Sequence, residues 1–267
     1  MTQAEHARRM AAPRSNRALL AEVLARPHWT WHRLVGKLEG RDPRAGRLAE
    51  YERFTEPLES AVARMAGARA EDVAKTLASF VPVDRAQGSG PIPRWQDGTL
   101  ELSRVAYAIV RALKPEVVVE TGVARGVTSH AILSALEDNG RGRLVSVDLP
   151  GLEAGATEAV GELVPEALRA RWDLRLGPSA SLLPGILRGV GPVDLFIHDS
   201  AHTYRNMARE YALGLAALKP EGVLMSDDVC NDALLEIVER ERLDLAVVRQ
   251  SKAPPWSYIG LAKRRAT

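Results

Sequence analysis

A single cysteine, Cys230, excludes a disulfide framework and a cysteine-rich zinc site within one chain of 267 residues. No apolar run approaches the ~20 residues that span a bilayer, so no membrane segment is expected. The opening stretch, Met1-Thr2-Gln3-Ala4-Glu5-His6-Ala7-Arg8-Arg9, has arginines but no apolar run behind them. No signal peptide is expected, and the expected compartment is the cytoplasm. Charge of one sign is scarce too. The net is +2, which gives no global attraction for nucleic acid. Residues 1–96 carry 16 Lys/Arg against 11 Asp/Glu, and residues 97–267 carry 20 against 23. The mildly basic first third reads as a solvated Arg-rich helical surface, or else as a surface for an acidic substrate or partner. What is present is ordinary for a soluble globular protein: 46% apolar and 26% charged residues, enough to bury a real core.

Residues 1–80 have apolar residues at helical spacing, with helices expected over Arg17–Leu24 and Glu50–Met65 and a third from about Ala70. His28, Trp29 and Trp31 fall in what reads as a short turn, either a packing knot or an aromatic lid. Gly88-Ser89-Gly90-Pro91-Ile92-Pro93 and Asp97-Gly98 mark a linker, with Trp95 as a candidate lid residue. The expected division is therefore 1–98, a helical region and linker for lid, substrate or dimer contacts, and 99–267, a ligand-binding domain. From Thr99 onward, helices alternate with short strand-like apolar runs: Val117–Val119, which is β-branched throughout, Leu144–Val147, Leu174–Leu176, Val193–Asp199, Gly222–Ser226, Leu243–Val248 and Tyr258–Ala262. That alternation predicts an α/β fold with a doubly wound, mostly parallel seven-stranded sheet. The last strand follows a connection too short for a crossover helix, so it should pair antiparallel.

Two clusters fall at strand ends. The first is Glu120-Thr121-Gly122-Val123-Ala124-Arg125-Gly126-Val127-Thr128-Ser129, a glycine turn between strand and helix, followed by Asp148 at the end of the second strand. Gly122 and Gly126 let the chain turn and a ligand approach. Glu120 would repel a pyrophosphate and attract a cationic amino acid, and Asp148 is placed for ribose hydroxyls. A ligand with a ribose, an ammonium and no phosphate fits, namely S-adenosylmethionine. A plain turn with no ligand is the alternative.

The second cluster is Asp199-Ser200-Ala201-His202 with Asp227-Asp228. Neighbouring strand ends converge on one crevice, and three carboxylates there call for a cation. Oxygen ligands favour a hard divalent ion, Mg²⁺ first. His202 can stand beside it and accept a proton from a hydroxyl. The competing reading makes Asp227 or Asp228 a helix cap and His202 a surface residue. His198 is expected to face the other side of its strand as a structural residue. Tyr204 could orient substrate or pack in the core, and Cys230 reads as a small buried filler.

The glycine stretch resembles the first motif of class I S-adenosylmethionine-dependent methyltransferases. With Phe196–Tyr204 and Lys219–Asp228 added, residues Thr99–Ala262 are similar to the branch containing macrocin and mycinamicin sugar O-methyltransferases and cephalosporin-hydroxylase-like proteins. Residues 1–80 have no such resemblance, and the N-terminal helical region follows from their helical spacing alone. For Thr99–Ala262 the resemblance implies a Rossmann-like methyltransferase fold. It places the cofactor on Glu120, Thr121, Gly122, Gly126, Ser129, Asp148, Gly177, Ser179 and Asp199. Glu120, Thr121 and Gly122 line the methionine end, Asp148 the ribose, and Gly177 and Ser179 the adenine. It makes Asp199, Asp227 and Asp228 the Mg²⁺ ligands and His202 the base. The chain departs from the pattern at Pro178, where an acid often stands, and at Asp227, where Glu is frequent. The implied activity is Mg²⁺-dependent O-methylation of a small-molecule hydroxyl, of a sugar or polyketide-type metabolite. Charge and the lack of a long apolar run argue against nucleic-acid and membrane partners, and the N-terminal helices could form a homo-oligomer interface. A metal-independent methyltransferase and a non-catalytic accessory protein that keeps the fold are the rivals.

Overall fold

The computed structural model describes residues 24–39, 44–255 and 257–265. Most of the helix expected over Arg17–Leu24 lies outside the described residues, as do Gly40–Pro43. The first described helix is α1, Pro27–Glu39. A 3₁₀ segment, Leu48–Phe54, precedes α2, Leu58–Ala66, and α3, Ala70–Ala78. The single helix expected over Glu50–Met65 is thus two pieces. Pro57 lacks an N–H and pushes the residues before it toward extended backbone. Thr55 there forms a parallel bridge with Val247. The expected turn at His28, Trp29 and Trp31 is instead helical, inside α1.

Helix α4, Leu100–Leu113, starts where the Thr99 hydroxyl accepts the Leu102 amide. It leads into β1, Val117–Thr121, whose five residues are all buried. There follow α5 (Val127–Asp138), β2 (Arg143–Asp148), the short α6 (Ala156–Ala159), β3 (Trp172–Leu176) and α7 (Ser179–Val190). The chain continues through β4 (Val193–His198), α8 (Tyr204–Ala217), β5 (Leu218–Ser226), α9 (Ala233–Glu241), β6 (Leu243–Arg249) and β7 (Tyr258–Arg264). The seven strands lie in the order β3-β2-β1-β4-β5-β7-β6. Only β7 is antiparallel, paired with β5 on one side and β6 on the other. This is the doubly wound, mostly parallel α/β sheet that the strand pattern predicts.

Successive strand residues feed opposite cores, as a pleated strand covered on both faces requires. Val118, Ile197 and Met225 pack with residues of α2 to α5, whereas Val119, Phe196 and Leu224 pack with residues of α7 to α9. Residues of α2 and α3, Val62 and Leu77 among them, share the first of these cores with α4 and the sheet. Helices α2 and α3 are thus built into the core of the second region. No helix among the described residues is long and apolar enough to cross a membrane.

The place of β7 matters for the site. Because β7 runs antiparallel between β5 and β6, the loop from Gln250 to Ser257 emerges at the carboxyl ends of β1, β4 and β5. The Gln250 amide donates to the Ser257 carbonyl at the base of that loop, 2.7 Å.

Candidate active site

The crevice above β1, β2 and β4 begins with the glycine turn. Gly122 has φ +87 and Gly126 φ +91, left-handed values that favour glycine. A Cβ on Gly122 would stand 1.9 Å from the carbonyl oxygen of Asp199. The close approach that Gly122 permits is therefore between the ends of β1 and β4, and the Asp199 amide donates to the Thr121 carbonyl at 2.7 Å. At Gly126 the neighbours are Gly161 Cα and Val164, each 2.9 Å from the missing Cβ. Both glycines serve packing of protein on protein in addition to the turn.

Glu120 is completely buried. Its Oε2 accepts the hydroxyls of Ser129 and Ser146, each at 2.7 Å, while Oε1 has no protein partner. Burial pushes its carboxyl up to about 7, against the pull of the two serines. Ser129 is thus a buried support for Glu120, placed behind the crevice wall. Thr121 is likewise buried, its hydroxyl donating to Glu210 Oε2 at 2.6 Å. Asp148 accepts the amides of Val123 and Ala124 on one oxygen, Oδ2, at 2.7 and 3.0 Å. Burial raises its pKa and those two amides counter the rise. One carboxylate oxygen thus ties the turn to the end of β2.

Helix α1 lies over the β2 and β3 ends, which its sequence did not reveal. Arg33 donates to the Leu149 carbonyl at 3.0 Å, and His32 Nε2 is 3.3 Å from the Ser181 hydroxyl. Gly177 sits beneath Trp29, whose Nε1 is 3.6 Å from where a Gly177 Cβ would be. Ser179 opens α7. Trp95, the other candidate lid residue, is 78% exposed.

The second cluster gathers beside the first. Asp199, His202 and Asp227 each offer a ligand atom, and these atoms lie within 4.8 Å of one another. His202 Nε2 is 3.9 Å from Asp199 Oδ1. Burial, then repulsion from Asp227 and Asp228, raises the Asp199 carboxyl well above the ordinary carboxylate range. Burial and Asp228 push Asp227 up to about 6. His202 goes the other way. Burial, His198 and Lys252 hold its pKa well below the usual imidazole value, so the ring is a neutral base at physiological pH.

Asp228 is placed differently from its neighbour. It adopts φ +42, and both its oxygens are taken by the ammonium of Lys252, at 2.7 and 2.9 Å. Lys252 Nζ also lies 3.8 Å from Asp227 Oδ2. Gln250 Nε2 donates to Asp227 Oδ1 at 2.9 Å and to Asp228 Oδ1 at 3.3 Å. The structure therefore brings Asp199 and Asp227 together with His202, and gives Asp228 to a cation of the protein's own. Neither Lys252 nor Gln250 belongs to a motif. The signal that could have found them is topological, since an antiparallel last strand beside β5 returns its loop to this crevice.

His198 is buried behind His202, the two rings edge to face with centroids 5.4 Å apart. Its Nδ1 is 2.7 Å from Glu210 Oε2. It has the structural place expected of it, but directly beneath the candidate base. Tyr204 is partly buried against the core on the α7–α9 side, its hydroxyl donating to Glu236 and the Arg44 guanidinium over its ring. Cys230 is buried as expected, and burial pushes its thiol up to about 12, which leaves no reactive thiolate. Arg125 is buried with Asp97 and Glu162 and donates to the Arg85 and Gln87 carbonyls. It clamps the 85–98 linker against the glycine turn.

Residues 119–229 match the family model described as a methyltransferase domain. No curated protein matches the chain in sequence. Solved structures match in fold. A methyltransferase from Podospora anserina, in its SAH-bound form, superposes with a TM-score of 0.52 at 17% identity over 85% of this chain and 97% of that one. An O-methyltransferase from Bacillus cereus in complex with SAH gives 0.52 at 15% identity over 80% and 100%. The O-methyltransferase TomG from Streptomyces achromogenes, in complex with SAM and involved in tomaymycin synthesis, gives 0.51 at 15% identity over 79% and 91%. Strand order, glycine turn and family match agree: residues 119–229 are similar to a methyltransferase domain, and the chain has the Rossmann-like fold of the methyltransferases it superposes on.

Proposed function

We propose that this protein transfers the methyl group of S-adenosylmethionine to a hydroxyl of a small molecule, of the sugar or polyketide type, with Mg²⁺ at the acidic cluster. The observation that carries the reading is the adjacency of two half-sites. A buried carboxylate with a free oxygen, Glu120, stands beside the Asp199–His202–Asp227 group at neighbouring strand ends. The free Glu120 oxygen suits the ammonium of S-adenosylmethionine, whose sulfonium supplies an electrophilic methyl. The relatives in fold that carry SAM or SAH support the same cofactor. The sugar end of the acceptor range rests on the resemblance to the macrocin and mycinamicin branch.

Each residue then has a task. Gly122, Gly126 and Asp148 hold the turn, with Asp148 keeping one oxygen for ribose hydroxyls. Gly177 and Ser179 flank the adenine. Burial, and after it mutual repulsion, raises the Asp199 and Asp227 carboxyls, and clustered oxygen donors of this kind fit a hard divalent ion. Asp199, Asp227 and Asp228 would hold it, and its charge would lower the pKa of a nearby hydroxyl. His202, neutral and within reach of the cluster, takes the proton of the acceptor hydroxyl. The remaining contribution is alignment of oxygen and methyl for in-line displacement.

A second reading, methyl transfer without metal, is favoured by the Lys252 ammonium already seated on Asp228. Calorimetry with S-adenosylmethionine and turnover in EDTA test both. Absence of binding at millimolar cofactor would sink the methyltransferase reading and leave an accessory protein. Full turnover in EDTA would remove the metal and keep the rest.

A further inference from the structure

The acidic cluster already contains a cation. Lys252 bridges both oxygens of Asp228 and approaches Asp227, and its side chain is 26% exposed. The groups facing it are Asp227 and Asp228 from the end of β5, Asp199 and His202 from the end of β4, and Gln250 from its own loop. A small divalent ion needs carboxylate oxygens at roughly 2.0–2.1 Å. An ammonium donating to both oxygens of Asp228 occupies the lone pairs such an ion would use, and two cations this close repel. We propose that Lys252 and the divalent ion are alternative occupants of the Asp199–Asp227–Asp228 cluster, and that the ion enters only as Lys252 swings out. The inference rests on the metal reading above.

The loop is built for that motion. Gln250 is buried, accepts the Thr99 hydroxyl on Oε1, and donates to the Tyr258 carbonyl at 3.3 Å and to both aspartates. It stays as the anchor. Ser251, Ala253 and Pro254 are exposed, so the backbone beside Lys252 can move without disturbing a packed neighbour, and what Lys252 gives up on leaving is its hold on Asp228. The loop stands over the end of β5, with Lys252 and Gln250 on Asp227 and Asp228. Metal arrival and loop opening are therefore one event: the cluster exchanges its resident charge for the ion.

The test uses Mn²⁺ as the probe and two readouts that need no turnover. Paramagnetic titration measures Mn²⁺ affinity in the wild type and in Lys252→Met, which keeps length and removes charge. Amine acylation followed by mass spectrometry measures the reactivity of Lys252 with and without Mn²⁺. Lys252→Met should bind Mn²⁺ at least tenfold more tightly, and Mn²⁺ should raise Lys252 acylation several-fold while other lysines stay constant. Tighter binding in Lys252→Met with unchanged acylation would mean mere charge repulsion and would overturn the exchange. Mn²⁺ binding with neither effect would overturn it as well and leave the metal reading standing. No Mn²⁺ binding by either protein would overturn the metal reading and this inference together. Lys252→Gln serves as a second variant if Lys252→Met does not fold.

Discussion

His198 Nδ1 lies 2.7 Å from Glu210 Oε2, with both side chains wholly shielded from solvent. The same carboxylate accepts Thr121 from β1 and Ser200 from the β4–α8 turn. Glu210 therefore ties the ends of β1 and β4 to α8, directly under His202.

That tie predicts a stability loss and an acid limit. Removing one partner of a buried pair strands the other. Glu210→Ala should lower unfolding stability by about 3–5 kcal/mol, measured by urea titration. Burial raises the Glu210 carboxyl, but His198 and its hydrogen bonds outweigh burial and hold it at about 2. A depressed carboxyl contributes stability above its unfolded value near 4.5, lost as pH falls toward about 2. The acid limb of the stability profile should flatten in Glu210→Gln. An unchanged limb would show that the pair contributes nothing.

Glu120 has the opposite sign. Its folded pKa of about 7 exceeds the ordinary 4.5, so the folded state binds the proton more tightly. Stability from this group is complete below about 4.5 and falls away as pH rises through about 7, by about 3 kcal/mol in all. Thermal melts of the cofactor-free protein should therefore decline over that window, and Glu120→Gln should remove much of the decline. Affinity for S-adenosylmethionine should rise over the same window as Glu120 ionises, and calorimetry across pH 6–8 checks it. A flat affinity profile would separate Glu120 from the cofactor.

Gly122 is predicted to tolerate no side chain. An added methyl meets the Asp199 carbonyl at 1.9 Å and adopts φ +87. Gly122→Ala should cost about 2–4 kcal/mol, combining overpacking with left-handed strain. It should also weaken ligand binding, because the displaced strand end carries Asp199. Denaturant midpoints and calorimetry give the two effects separately.

His202 is the candidate base. His202→Ala should reduce turnover by about 10²–10⁴-fold, with cofactor affinity retained. Cofactor affinity lost in parallel would point to a binding role, and unchanged turnover would end its candidacy.

Much of this was legible in the chain. Val117–Val119 announced a strand buried on both faces, and Lys114-Pro115 a helix end, because periodicity and turn chemistry are local. Asp199, His202 and Asp227 were legible as neighbours, since a parallel sheet gathers its strand ends. The roles of Thr121 and Ser129 were not. Both look like cofactor contacts in a motif, yet their hydroxyls turn inward to Glu210 and Glu120. His28, Trp29 and Trp31 gave no sign that α1 would cover the β2 and β3 ends.

The sequence by itself determined the order of elements, the glycine turn and the acids standing at the strand ends, since each follows from residues close together in the chain. Tertiary structure alone decided which acids are already engaged. Asp148 is tied to two amides 24 and 25 residues away, Thr121 to Glu210 across 89, and Asp228 to Lys252 across 24. Those pairings depend on distance in space. The insertion of β7 between β5 and β6 is what carries a lysine onto the carboxylates at the end of β5.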